Sequence, residues 1–291
     1  MELKSLTTKE VARLCRVSDA TVKRWEASGL LKSERTSGKH RRFRAEEVAR
    51  FQREQKLGLK IHNGDESAVR ATSRRRVSKM PSDAPLFHSL IAGCEEEAAN
   101  TLIEAHLRGV PLPEIFDEIV CPAMRQIGEL WHDGNLSITQ EHIATRVAVS
   151  VILKLRNVLP VPEMNGELAM CCALESDFHD LPTHLAQMVF EDQGWEVLNF
   201  GANTPLYSLA EEVLQHAPKL LCISATVIND IERSVRDYKI FIEQIGKLKT
   251  RIILGGGAFA DEHLRRRFPA DLYARSFGEV AGFARRLGNE S

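Results

Sequence analysis

Residues 168–182 read Leu-Ala-Met-Cys-Cys-Ala-Leu-Glu-Ser-Asp-Phe-His-Asp-Leu-Pro: an unbroken apolar run from Leu168 to Leu174, then a polar loop that ends on a proline. A short apolar run bounded by turn residues is the pattern of a strand buried on both faces. Further runs follow at Trp195 to Phe200, Leu220 to Ala225 and Ile252 to Leu254, with a shorter one at Asp271 to Ala274, and helical stretches separate them. Strand and helix in alternation predict a parallel sheet covered by helices. Loops that leave such strands gather at the carboxyl edge of the sheet, where ligands bind. Three stand out: Glu175 to Pro182, Ser224-Ala225-Thr226 and Gly255-Gly256-Gly257.

In order and spacing these loops resemble the cobalamin-binding domain family, whose pattern is Asp-x-His-x-x-Gly, a later Ser-x-Thr or Ser-x-Leu, and a Gly-Gly pair. His179 lies 45 residues before Ser224, and Thr226 lies 29 before Gly255, which puts each motif after the matching strand. The resemblance implies that the His179 imidazole ligates cobalt in place of the cofactor's own base, while Asp177 accepts the other ring N–H and fixes its tautomer. It gives Ser224 and Thr226 hydroxyls to the displaced nucleotide tail and lets that tail lie against the backbone of Gly255 and Gly256. One position departs, since Pro182 stands where the family has glycine. Proline is tolerated in a first helical turn, but it alters how the loop enters the helix.

The other end of the chain has a different charge. Residues 1 to 80 carry 21 Lys/Arg and 10 Asp/Glu, whereas residues 81 to 291 carry 18 and 30, so a net charge of −1 hides a basic end on an acidic body. That layout suits a polyanion binder, because Lys and Arg release phosphate counterions on binding. Thr7-Thr8-Lys9-Glu10 starts a helix that places Val11, Ala12 and Leu14 on one face. Ser18 caps a second helix, with Ala20, Val22 and Trp25 on its packed side and Thr21, Lys23 and Arg24 outside, until Gly29 stops it. Leu30-Leu31 enters a hairpin with its turn at Ser37-Gly38, and the basic run Lys39-His40-Arg41-Arg42-Phe43-Arg44 precedes a third helix at Ala45. Through these segments residues 5 to 55 resemble the MerR family of winged helix-turn-helix DNA-binding proteins. The resemblance implies that Thr21, Lys23 and Arg24 approach the major groove, while Arg41, Arg42 and their neighbours Lys39 and His40 contact phosphates. Residues 58–83, which include Arg74-Arg75-Arg76, lack a sustained apolar period and read as a linker.

Between the two ends, apolar residues recur at three and four: Leu86, Leu90, Ile91; Leu102, Ile103, Leu107; Ile115, Ile119, Met124, Ile127, Leu130; and Ile138, His142, Thr145, Val149, Ile152. These stripes predict four antiparallel helices, with turns at Gly109 to Pro113 and Asp133-Gly134-Asn135 and a capping box at Ser137 and Gln140. The hairpin at 131–142 brings Trp131, His132, Glu141 and His142 to one end of the bundle. The whole order resembles the CarH/LitR family of light-responsive, adenosylcobalamin-dependent repressors, whose bundle signature is a Trp, nine residues, then Glu-His: here Trp131, Glu141 and His142. In that family the tryptophan and glutamate surround the 5′-deoxyadenosyl group, and a bundle histidine takes the upper cobalt position after photolysis; by position that is His132.

The expected architecture is therefore multidomain: a MerR-type winged helix-turn-helix at 1–57, a linker at 58–83, a four-helix bundle at 84–160, and an α/β Rossmann-like cobalamin-binding domain at 166–291. The expected function is a repressor that holds a double-stranded DNA operator with adenosylcobalamin in the dark and releases it in light. The resemblance implies a homo-oligomer, a tetramer, and no turnover. Two other readings remain: a MerR-type regulator whose cobalamin fold answers to another ligand or protein, and a corrinoid methyl carrier. Cys15, Cys94, Cys121, Cys171, Cys172 and Cys222 show no CxxC spacing and read as small core residues, so neither zinc nor disulfides are expected. No apolar run approaches a membrane span and the first residues lack a signal core, which leads to the expectation of a cytoplasmic protein.

Overall fold

The computed structural model describes residues 5–36, 38, 40–55 and 85–289, and the chain divides into two compact units, Met1–Pro160 and Val161–Ser291. The linker read at 58–83, with Arg74, Arg75 and Arg76, lies outside the described residues, as do Ser37 and Lys39.

In the first unit α1 (Thr8–Leu14) opens on a capping box in which the Thr7 hydroxyl and the Glu10 carboxylate each take a backbone N–H of the other residue. A left-handed Arg16 turns the chain into α2 (Asp19–Ala27), capped by the Ser18 hydroxyl. Gly29, at φ +76, closes α2 in a conformation that costs glycine nothing. Two-residue strands β1 (Glu34–Arg35) and β2 (Arg41–Arg42) pair antiparallel and lead to α3 (Ala45–Gln55). Val11, Val22, Leu31, Phe43, Val48 and Phe51 close a core on which Trp25 packs, its ring 4.8 Å from that of Phe51. Ala20, expected on this packed side, is exposed: Val22 and Trp25 fill the side that meets α1 and α3, and Ala20 falls on the opposite arc with Lys23 and Arg24.

Helices α4 (Pro85–Ile91) and α5 (Glu95–Leu107) follow. Then α6 (Leu112–Ile115) runs through a π turn at Phe116–Val120 into α7 (Cys121–His132). Pro122 has no N–H with which to continue the α ladder, and the wide turn just before it absorbs that break. Gly134, at φ +74, makes the tight connection to α8 (Ile138–Val158), and the Ser137/Gln140 capping box forms. The buried line of α8 is Ala144, Ala148, Val151, Ile152, Leu155 and Val158. Of the expected stripe Ile152 is buried, whereas Thr145 and Val149 are half-buried and Ile138 and His142 are exposed. Small alanines let the neighbouring helices approach, which turns Ile138 (56% exposed) and His142 outward.

The second unit is a five-stranded, all-parallel sheet in the order β4-β3-β5-β6-β7: β3 (Leu168–Ala173), β4 (Glu196–Asn199), β5 (Leu220–Ser224), β6 (Arg251–Gly255) and β7 (Leu272–Ala274). Its helices are α9 (Leu181–Asp192), α10 (Leu206–His216), α11 (Ile231–Ile245), the single turn α12 (Glu262–Arg265) and α13 (Phe277–Gly288). Met170, Cys172, Leu221, Ile223 and Leu254 face Leu209, Val213, Tyr238 and Phe241 of α10 and α11. With period two, Cys171, Cys222 and Ile253 face the other side, and these too are buried. Cys15 is also buried, but Cys121 is half-buried and Cys94 is exposed where α5 begins, against the expectation that all six are core residues. Among the described residues no helix is long and apolar enough to cross a membrane.

Candidate functional site

The strand order reverses direction at β3, whose neighbours β4 and β5 lie on opposite sides of it, so the crevice beyond the carboxyl ends of β3 and β5 is the switch point of the sheet. The loop after β3 carries Asp177, which is fully buried. Its Oδ1 accepts the His179 backbone N–H at 3.1 Å and lies 2.6 Å from His179 Nδ1. Its Oδ2 accepts the Thr226 N–H at 2.6 Å, across 49 residues, from the loop after β5. One carboxylate thus ties two loops together and sets the imidazole, because Nδ1–H on a carboxylate leaves Nε2 as the acceptor nitrogen. The His179 side chain is half-exposed. A third loop is tied in by Asn203, which accepts the Ser176 N–H at 2.8 Å and donates its own N–H to Asp177 O at 2.8 Å.

Next to this lock lies the Ser224 hydroxyl, buried and without a hydrogen-bond partner among the described residues. The glycine loop after β6 separates into two kinds of residue. A Cβ on Gly256, at φ +100, would sit 2.3 Å from Ala225 O, so the chain itself demands glycine there. A Cβ on Gly255 would meet nothing closer than Ala274 O at 3.7 Å. Pro182 is the second residue of α9, where the helix has no use for its missing N–H. The first turn around it is pinned by Asp180, which accepts from Thr183 Oγ1 at 3.2 Å and pairs with His184 Nε2 at 2.8 Å. The sequence reading missed this pair, although its i,i+4 spacing signals it. It also missed Phe178, 75% exposed beside the imidazole, and the Arg233–Glu175 pair at 2.8 Å, which borders a cavity of about 50 Å³ and joins residues 58 apart.

In the first unit, Trp131 (47% exposed) and the exposed His132 end α7, and Glu141 and His142 lie in the first turns of α8. Glu141 accepts from Thr145 Oγ1 at 2.8 Å, and His142 Nε2 is 3.7 Å from its other oxygen. The amino-terminal module exposes Lys23 and Arg24 on α2 and His40 on the hairpin. Thr21 is half-buried, its hydroxyl 3.0 Å from that of Ser18. Arg41 donates from Nε to Glu26 at 2.9 Å, and Arg42 donates to the Arg41 carbonyl at 3.1 Å. The Arg41 hydrogen bond, then that from Ser33, holds the Glu26 carboxyl below its ordinary range.

Comparison with known proteins gives two family matches, both within the first unit. Residues 83–155 match the family model of a B12 binding domain, and residues 5–56 match that of a helix-turn-helix domain. The chain is 24% identical over 199 residues to dimethylamine corrinoid protein 3 of Methanosarcina acetivorans, covering 68% of this chain and 92% of that protein. It is 22% identical over 171 residues to the HTH-type transcriptional repressor CarH of Myxococcus xanthus, covering 58% of this chain and 55% of that one. The solved monomethylamine corrinoid protein of Methanosarcina barkeri superposes with a TM-score of 0.58 at 18% identity, over 74% of this chain and 99% of its own. The chain thus carries a helix-turn-helix match and a B12 binding domain match in its first unit, followed by a second unit with a Rossmann-like α/β fold.

Proposed function

We propose that the protein is a cobalamin-dependent transcriptional repressor that holds DNA in the dark with adenosylcobalamin and lets go in light. The observation that carries the cofactor reading is the lock at the switch point: a buried Asp177 that orients the His179 ring, beside a buried Ser224 hydroxyl with no partner among the described residues. An unpaired buried hydroxyl costs about 1–3 kcal/mol, which an arriving acceptor or donor would recover. Among the described residues no group of three or more His, Cys, Asp and Glu could hold a bare metal ion. A single oriented imidazole instead suits a cobalt whose other positions a corrin already fills. The residues therefore fit the group: His179 would ligate cobalt, Asp177 would hold the ring, and Ser224, Thr226, Gly255 and Gly256 would take the nucleotide tail.

When bound, adenosylcobalamin supplies a weak organocobalt bond that visible light breaks. In this reading 84–160 is a four-helix bundle whose exposed Trp131, with Glu141 and His142, contacts the adenosyl group, and His132 is the histidine available to cobalt afterwards. The hairpin is a wing, Lys23 and Arg24 reach the major groove, and the bound form is a homo-oligomer without enzymatic turnover. Loaded protein kept dark should show the spectrum of a base-off, histidine-ligated corrinoid and should retard a DNA duplex selected from a random pool. Illumination should bleach the one and release the other; equal retardation before and after bleaching would sink the light switch. A second reading, a corrinoid methyl carrier, is favoured by the dimethylamine corrinoid relatives, of which the chain covers 92%. It predicts that methylcobalamin binds as well as adenosylcobalamin and that Trp131→Ala leaves that ratio unchanged.

A further inference from the structure

The hairpin of the amino-terminal module is too short to hold itself. Its strands contribute two residues each, joined at Glu34–Arg42 and Arg35–Arg41 and extended by the bond from Thr36 N–H to His40 O. An isolated hairpin of this size is not stable in water. At its base Phe43 is buried in the core and exchanges both backbone hydrogen bonds with Leu6, at 2.8 and 2.9 Å. Farther out, its two sides converge on one carboxylate of α2. Glu26 Oε1 accepts from Ser33 Oγ at 3.0 Å, just before β1, with Arg35 Nη2 of β1 at 3.7 Å; Glu26 Oε2 accepts from Arg41 Nε of β2 at 2.9 Å. Glu26 keeps only 16% of its side chain exposed and Arg41 28%, so these bonds are partly shielded from water.

We propose that Glu26 sets the angle between the hairpin and α2 for DNA binding, and that Arg41 is a positioning residue held on Glu26 rather than a phosphate contact. The proposal rests on the DNA-binding reading above. An arginine whose Nε is engaged by a shielded carboxylate brings little net charge to a phosphate, because its charge is already compensated. Phosphate contact from β2 then falls to Arg42, whose guanidinium donates to a neutral carbonyl, that of Arg41. A carboxylate within the binding face would ordinarily repel DNA. Here it is tolerated because the cations that fix the hairpin neutralise it.

The test uses the full-length protein and a fluorescent duplex that the parent selects from a random pool, titrated over a range of salt. Glu26→Gln and Arg41→Ala should each weaken binding roughly tenfold, about the worth of one charge-assisted hydrogen bond. The double variant should be no weaker than either single one, and all three should keep the parent's salt slope. Arg42→Ala should instead flatten that slope by about 0.9, the share of one phosphate contact. Unchanged thermal unfolding of Glu26→Gln would show that the module still folds, and hydrogen exchange at Thr36 would report loss of the hairpin's angle even if the melt shifts. Parent-like or tighter binding by Glu26→Gln, with a flattened slope for Arg41→Ala, would overturn the proposal and return Arg41 to the phosphates. A parent that retards no duplex at all would instead remove the DNA-binding reading, and this proposal with it.

Discussion

Asp177 and Glu26 each hold a short excursion of chain in place, one in each compact unit, yet Asp177 is fully buried whereas Glu26 keeps 16% of its side chain in contact with water. The buried carboxylate has assigned partners for both oxygens, and two of its three hydrogen bonds come from backbone N–H groups. The partly exposed one gathers side chains, an arginine and a serine with a second arginine nearby. Burial strengthens each bond and makes each loss costly, while screening near the surface leaves more tolerance and less energy per bond. On the proposed function the first kind suits a cofactor site, because the histidine has to stand still. On the same proposed function, a hairpin that follows a flexible duplex manages with the second.

The comparison can be broken from the top down. The largest effect belongs to the backbone beside the buried lock: Gly256→Ala drives a Cβ against Ala225 O and imposes a side chain at φ +100. It should destabilise the second unit by about 3 kcal/mol or more by denaturant unfolding, since left-handed strain and a backbone clash add. Asp177→Ala comes next, at about 1–3 kcal/mol without cofactor, because it strands the part-buried Thr226 N–H and the His179 N–H that the buried carboxylate accepts. Unfolding of Asp177→Ala at the parent's denaturant midpoint would show that burial is not what separates the two carboxylates.

The effect at Glu26 should be smaller and should depend on pH. Its folded-state pKa lies below the ordinary 4.5, chiefly through the Arg41 bond, so its stabilisation is complete above that value and is lost as pH falls through the lower folded value. Acidification from neutrality to about pH 3 should cost the hairpin less than about 1 kcal/mol, the range of partly exposed ion pairs. Hydrogen exchange at Thr36 and Phe43 measures it, and Glu26→Gln should abolish the part of the acid dependence that arises here. An identical acid dependence in the variant would mean that other carboxylates hold the hairpin.

What the sequence made legible follows the same division between local and distant. The strands were readable because each is a short apolar run, and the loop motifs because a parallel sheet puts them all at one edge; Asp177 beside His179 is a contact two residues long. The bonds from Asp177 to Thr226 and from Glu26 to Arg41 join residues 49 and 15 apart, and no periodicity encodes them. The stripe of α8 was misplaced because hydropathy weights Ile138 above Ala144 and Ala148, whereas close helix approach favours the small residues. Ala20 fell to a related error, since a lone alanine on a short helix carries no directional information. Nor could the run Gly255-Gly256-Gly257 reveal that its members serve different needs, because that depends on which carbonyl each one faces.

That difference gives the smallest expected change in stability and a sharp test of the site. Gly255 lies at the end of β6 beside β7, and an added Cβ there meets Ala274 O at 3.7 Å, an ordinary contact. Gly255→Ala should therefore leave unfolding within about 0.5 kcal/mol of the parent, as a substitution that neither strains the backbone nor opens a cavity does. No contact among the described residues explains a glycine at this position. The proposed function does, because a nucleotide tail lying against the backbone would collide with the new methyl group. Gly255→Ala should then weaken cobalamin binding by more than about tenfold, that is by more than about 1.4 kcal/mol, in an absorbance titration. A corrinoid that lacks the nucleotide tail should bind the variant and the parent alike. If the variant instead binds cobalamin as the parent does, with its stability unchanged, the tail does not pass Gly255, and the glycine loop is left with Gly256 and its close approach to Ala225 as its one physical reason.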